Sequence, residues 1–191
     1  MGFWDALLGR TRPAEPNLDV LFAVPSALVA LQASLGLAPT GTGGVCFKAA
    51  EGEQAAQARD EALALVNAGR EAGSAVRTRD AYGYDWVVIR RPEDDPAALV
   101  TDLHAINSTL EGTGFGPSLL CTVIGLESPV EGRRLGLVYL FKRGTFYPFA
   151  QTGEHTRDNE LELRVRSRLA GELPVEPDLS RWFPVWDTPA L

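Results

Sequence analysis

The chain is poor in the residues that most often build catalytic and metal centres. Histidine occurs twice, at His104 and His155, cysteine twice, at Cys46 and Cys121, and methionine only at the start. There is no CxxC, no HExxH, no GxSxG and no His/Cys/carboxylate cluster at metal-ligand spacing, so no catalytic, cofactor-binding or metal-binding residue is named. Lysine is scarce as well: 16 of the 18 basic residues are arginine, they are scattered, and the net charge is −7 with a pI of 4.9. An acidic chain without a basic stripe argues against non-specific nucleic-acid binding and against purely electrostatic attachment to anionic lipid. The N-terminus lacks a basic region followed by an apolar stretch of roughly 7–15 residues, so no secretory signal is read. The longest apolar patch, LDVLFAVPSALVALQASLG, is interrupted by Asp19, Pro25, Ser26 and Gln32. It reads as too broken and too short to span a bilayer. A cytoplasmic protein is expected. Cys46 and Cys121, each inside a strand-like apolar run, then read as buried reduced thiols, and a disulfide or metal pair is the lesser alternative.

What is present is ordinary globular material: 191 residues, 45% hydrophobic and 23% charged, enough for one domain without staples. Residues 1–16 form an amphipathic segment and a Pro-rich link, and residues 17–191 a single α+β domain with an aromatic tail. Asn17 can cap a short helix from Leu18. Pro25 interrupts it, a second helix reads from Ser26 to Leu35, and Gly36 stops it. PTGTGG reads as a flexible helix-to-strand turn before a strand Val45–Ala49. A helix over 53–68 precedes two strands, Ala75–Asp80 and Tyr84–Arg91, joined at Gly83. Asp95 and Pro96 open the clearest helix, with Leu99, Leu103, Ile106 and Leu110 on one face. Strands follow at Leu119–Leu126, through LGLVYLF and at TFYPF, where Pro148 implies an edge. Asp158–Leu173 alternates like a strand, but its Leu161, Val165, Leu169 spacing and Glu–Arg pairs four apart favour a helix.

This order, without regular βαβ units, predicts an antiparallel or mixed sheet covered by helices. A ferredoxin-like core over Val45–Leu126, with extra C-terminal strands and a helix, is the competing architecture.

The functional candidates are few. PTGTGG follows a helix and precedes a strand, the reverse of a phosphate-binding loop. Asp102 and His104, two apart on one helix, do not face each other. His155 sits in a polar loop and reads as solvated. Lys142-Arg143 reads as a solvated hairpin tip. The aromatics of LVYLFKRGTFYPF read as core. The two chain ends are the remaining candidates for partner binding: Phe3, Trp4, Leu7 and Leu8 form a stripe in MGFWDALLGR, and Trp182, Phe183 and Trp186 lie in the Pro-broken tail. The first stripe fits the protein's own body, a partner groove or a shallow membrane anchor.

MGFWDALLGR, PNLDVLFAVPSA, DLHAINSTLEGTGFGPSLLC, LVYLFKRGTFYPFA and LPVEPDLSRWFPVW together resemble the PspAB family of proteins associated with phage shock protein A. The likeness runs along nearly the whole chain and is weakest over Glu51–Ala75. It implies a non-enzymatic accessory or regulatory protein of the PspA envelope-stress response. The implied partners are a PspA-type coiled-coil protein and an HtpX-type membrane peptidase, met at the inner membrane as a peripheral protein. It carries over no functional residue and no cofactor. At the fold level the helix–strand–strand–helix end is similar to YbjN-like and secretion-chaperone-like domains. A chaperone-like module for peptides or small ligands is therefore the alternative function, and a small hydrolase using His104 a second one.

Overall fold

In the computed structural model, residues 16–48, 57, 60–61, 63–65, 67–68 and 75–191 are described, and the stripe Phe3, Trp4, Leu7 and Leu8 lies outside them. Six antiparallel strands form one sheet: β1 (Ala38–Lys48), β2 (Ala75–Arg79), β3 (Tyr84–Arg90), β4 (Leu119–Ser128), β5 (Arg133–Leu140) and β6 (Thr145–Phe149), in the order β2-β3-β1-β4-β5-β6. A small hairpin, β7 (Gln151–Gly153) with β8 (Thr156–Arg157), stands apart. The helices are α1 (Val24–Leu35), α2 (Pro96–Leu110) and α3 (Asn159–Leu169), and described residues between β1 and β2 are helical as well. This is the α+β class read from the sequence. Within it, β3 lies between β1 and β2, and β1 between β3 and β4, the split arrangement of a ferredoxin-like unit, to which β5, β6 and α3 are appended.

The helix ends follow from local chemistry. Asn17 accepts from the Asp19 amide at the start of a 3-10 turn, Leu18–Ala23, and Pro25 sits in the first turn of α1, where its missing N–H costs nothing. Gly36 closes α1 in the left-handed conformation. Asp95 and Asp158 cap α2 and α3 by accepting from the amides of Ala98 and Leu161. The 18 residues Leu18–Leu35 are long and apolar enough to cross a membrane, with mean hydropathy 1.7, which corrects the expectation that this stretch is too short and broken. Here Leu21, Val24, Ala27, Leu28 and Leu31 are buried in the protein's own core.

Strand alternation gives the sheet two apolar faces. One carries Val45, Val87, Ile89, Ile124, Leu137 and Tyr139 against the three helices. The other carries Cys46, Trp86, Cys121, Val123, Val138, Tyr147 and Phe149 beneath the C-terminal tail.

PTGTGG is not a turn; it is the first half of β1. Glycine is needed there for close approach on both faces. A Cβ on Gly43 would sit 2.8 Å from Leu103 Cδ1 of α2, and one on Gly44 would meet Trp86 at 3.2 Å and Ala190 at 3.3 Å. The run thus lets helix and tail close on opposite sides of one strand.

Both sheet edges are protected. β2 carries Arg77 and Arg79, which reach Asp85 Oδ1 at 3.2 Å. β6 is capped by the tail: Phe146 N–H donates to the Pro174 carbonyl and Glu176 N–H to the Phe146 carbonyl, both at 2.8 Å.

A candidate binding groove roofed by the C-terminal tail

A groove of about 710 Å³ opens between the tail and the sheet face turned away from the helices. Its floor comes from the ends of four strands: Trp86 of β3, Cys46 of β1, Leu120 and Cys121 of β4, and Leu140 of β5. Tyr147 of β6 adds a ring beside them. Tyr82, from the β2–β3 turn, and Tyr84, the first residue of β3, stand on one side, and Phe183, Pro184, Val185 and Trp186 on the other.

Anchors for the tail are laid down one after another. Glu176 is fully buried and paired with Arg143, while Thr145 Oγ1 donates to Glu176 Oε2 at 2.9 Å and Asp178 N–H to Glu176 Oε1 at 3.2 Å. Burial alone would raise the Glu176 carboxyl, but these donors outweigh it and hold the group below the ordinary carboxylate range. Arg143 is therefore a fastener of the tail and not a solvated turn residue; its neighbour Lys142 remains exposed at the groove mouth.

Trp182 is 6% exposed, stacks on Tyr147 with centroids 5.9 Å apart, and donates Nε1–H to the Glu176 carbonyl at 3.1 Å. Arg157 donates Nη1–H to the Trp182 carbonyl at 2.7 Å and two further bonds to buried Glu162, with its guanidinium over Phe149. Tyr147 donates its hydroxyl to the Phe183 carbonyl at 2.7 Å. Trp186 packs edge-on to Phe149 and to His155, whose Nε2 lies 3.1 Å from the Tyr82 hydroxyl. His155, read as a solvated loop residue, thus joins the β7–β8 hairpin, the tail and the β2–β3 turn.

The floor is electrically quiet. Cys46 and Cys121 are directly opposed in the β1–β4 register and are free, buried thiols. The Cys121 thiol beside it, and then burial, push the Cys46 thiol far above its ordinary range; burial does the same to the Tyr147 hydroxyl. Both stay neutral across the physiological range. Asp80, at the β2–β3 end, is occupied: it accepts from the amides of Tyr82 and Tyr84 at 2.9 Å and from Trp86 Nε1 at 2.8 Å. Such a surface offers area and ring faces to an apolar ligand. Its Trp86 indole N–H and Tyr147 hydroxyl are already engaged, and no group of three or more potential metal ligands occurs among the described residues.

Of the sequence candidates, the structure separates the three tail aromatics. Phe183, 61% exposed, and Trp186 line the groove, whereas Trp182 is a pillar beneath it. Sequence reasoning misses the facing wall, although YGYDW announces it: Tyr84 and Trp86 alternate along β3, and Tyr82 precedes them by two in the turn. His104 lies across the sheet from the groove, on α2, 3.3 Å from the carboxylate of Asp19 and with its ring tilted against that of Phe22, centroids 4.7 Å apart. The Asp19 side chain is 86% exposed, and Asp102 points instead to Arg91.

No curated protein and no solved structure matches the chain at a significant level. The family model described as PspA associated protein B matches residues 1–190. The chain belongs to this family, PspAB.

Proposed function

We propose that the protein serves the PspA system as a non-enzymatic accessory and regulator in the envelope-stress response, binding a protein partner in the cross-sheet groove. The observation that carries the reading is the groove itself: exposed aromatic walls over a floor whose indole N–H is hydrogen-bonded and whose two thiols are free and buried. Sites of this kind gain affinity by burying rings and excluding water. The family name points to PspA as the partner. An HtpX-type peptidase as a second partner, and work in the cytoplasm at the inner-membrane surface, belong to the same proposal.

The test is recovery of PspA with the full-length protein from membrane-stressed cells, compared with Phe183→Ala and Trp186→Ala variants. Loss of PspA from both supports the reading, and undiminished recovery overturns it. The open groove also favours a second reading, a chaperone-like module for peptides or small ligands. That reading predicts capture of many unrelated unfolded segments in place of one partner. The hydrolase reading draws little support from His104, whose carboxylate neighbour is solvent-exposed and on the far side of the sheet.

A further inference from the structure

The groove crosses the strands instead of following one. From β3 through β1 and β4 to β5 it covers three strand spacings, about 14 Å. The floor strands spend their backbone groups on the ladders between them, apart from the register shift at Leu120, whose carbonyl accepts from the Phe141 N–H at 3.2 Å. Its side-chain polar atoms are spent too, Trp86 Nε1 on Asp80 and the Tyr147 hydroxyl on the Phe183 carbonyl. An extended peptide laid across this floor would find no strand edge to pair with and too few side-chain partners for its own N–H and C=O groups, which are costly to leave unpaired. A helix arrives with its backbone already satisfied, and about 14 Å corresponds to about nine helical residues, room for anchors at i, i+3 or i+4, and i+7.

The two ends of the groove differ in charge. Asp80 stands at the β2–β3 end. At the other end Arg143 and Arg181 are neutralised by Glu176 and Asp178, while Lys142 is exposed and forms no salt bridge among the described residues. This polarity complements a helix dipole, with the N-terminus over Asp80 and the C-terminus toward Lys142.

We propose that the groove takes an amphipathic helix from a protein partner, its aliphatic anchors on the aromatic floor and an acidic residue of its last turn over Lys142. The inference rests on the protein-binding reading given above and adds the chemistry and direction of the bound segment.

The test uses fluorescein-labelled, lactam-stapled peptides of about 14 residues with leucines at i, i+3, i+4 and i+7. One carries glutamate in the last turn, a second carries it in the first turn, and a third has the leucines scrambled around the helix; hexadecanoate is the non-peptide amphiphile. Binding to the full chain is read by anisotropy, with Lys142→Glu and Phe183→Ala as variants. The last-turn peptide is expected to bind about fivefold more tightly than the first-turn peptide. Lys142→Glu should abolish or reverse that preference, Phe183→Ala should weaken both peptides, and the scrambled peptide should fail. Equal binding of all three peptides, or binding of hexadecanoate, read by quenching of the groove tryptophans, where no peptide binds, overturns the inference. If no stapled helix binds yet the groove variants lose PspA, the helix inference alone fails. If helices bind as expected but the variants still recover PspA, the parent reading fails.

Discussion

Replacing Trp182 by alanine should separate a pillar from a contact surface. The indole is almost wholly buried between Tyr147 and the Arg166 guanidinium, 5.9 Å from its ring centroid, and its N–H satisfies the Glu176 carbonyl. Truncating a buried tryptophan costs about 3–5 kcal/mol, to which an orphaned carbonyl adds about 1 kcal/mol. The upper end holds only if the tail unfolds with the body, because an appended segment that detaches alone limits the loss. Here the tail is tied to β6 by two backbone bonds, to Arg143 through Glu176 and to Arg157 through the Trp182 carbonyl, so it should come away only with its neighbours. A loss of at least about 2 kcal/mol is expected. Urea unfolding followed by far-UV circular dichroism measures it, with hydrogen exchange over residues 145–149 and 175–186 as the local readout. Phe183→Ala, one residue away but largely exposed, should stay within about 0.5 kcal/mol of the parent. Equal effects of the two substitutions, or a Trp182→Ala loss below about 0.5 kcal/mol with unchanged protection, would refute the placement of the tail.

Acid stability should follow Asp85 and Glu176. Burial raises both carboxyls, but Arg79 and Arg77 at Asp85, and Arg143, Thr145 and the Asp178 amide at Glu176, outweigh it and lower both. A depressed folded pKa gives stability that is present above the unfolded values of about 3.9 and 4.3 and is lost as pH falls through the folded values. The urea midpoint should therefore be level between about pH 7 and pH 5 and fall below about pH 4, with a shallower fall in Asp85→Asn; a midpoint unchanged down to about pH 3 would contradict this. Gly43→Val should cost more than about 2 kcal/mol, since even its Cβ would overlap Leu103, and a thermal melt at the parental temperature would count against the packing of α2 on β1. Cys46 and Cys121, free and buried, should resist iodoacetamide in the native state and react when the protein is unfolded in urea. Labelling of both at the rate of a free thiol would contradict the quiet floor.

Most of the fold is legible in the sequence because its signals are local. Asp95-Pro96 and the Leu99–Leu110 stripe delimit α2, and Asn17, Gly36 and Gly83 mark their turns through side-chain capping and the backbone freedom of glycine. The four-residue spacing after Asp158 identifies α3 correctly, though the helix ends at Leu169, before Gly171, where the chain turns toward the tail. PTGTGG misleads because glycine density signals freedom in isolation and close packing in context. Only the tertiary neighbours, Leu103 on one side and Trp86 with Ala190 on the other, distinguish the two. The groove is half visible. Phe183 and Trp186 stand out by composition, but their opposing wall comes from the β2–β3 turn and the start of β3, far away in sequence. The burial of Trp182 depends on Tyr147 and Glu176, which no local pattern links to it.

The central claim is that this groove is where a partner of the PspA system is held. It is tested most directly by recovery of PspA from membrane-stressed cells with the full-length parent and with a Phe183→Ala/Trp186→Ala double variant whose folding has been verified by circular dichroism. The account predicts that PspA is recovered with the parent and lost, by about tenfold or more, with the double variant. Equal recovery with both proteins would contradict it.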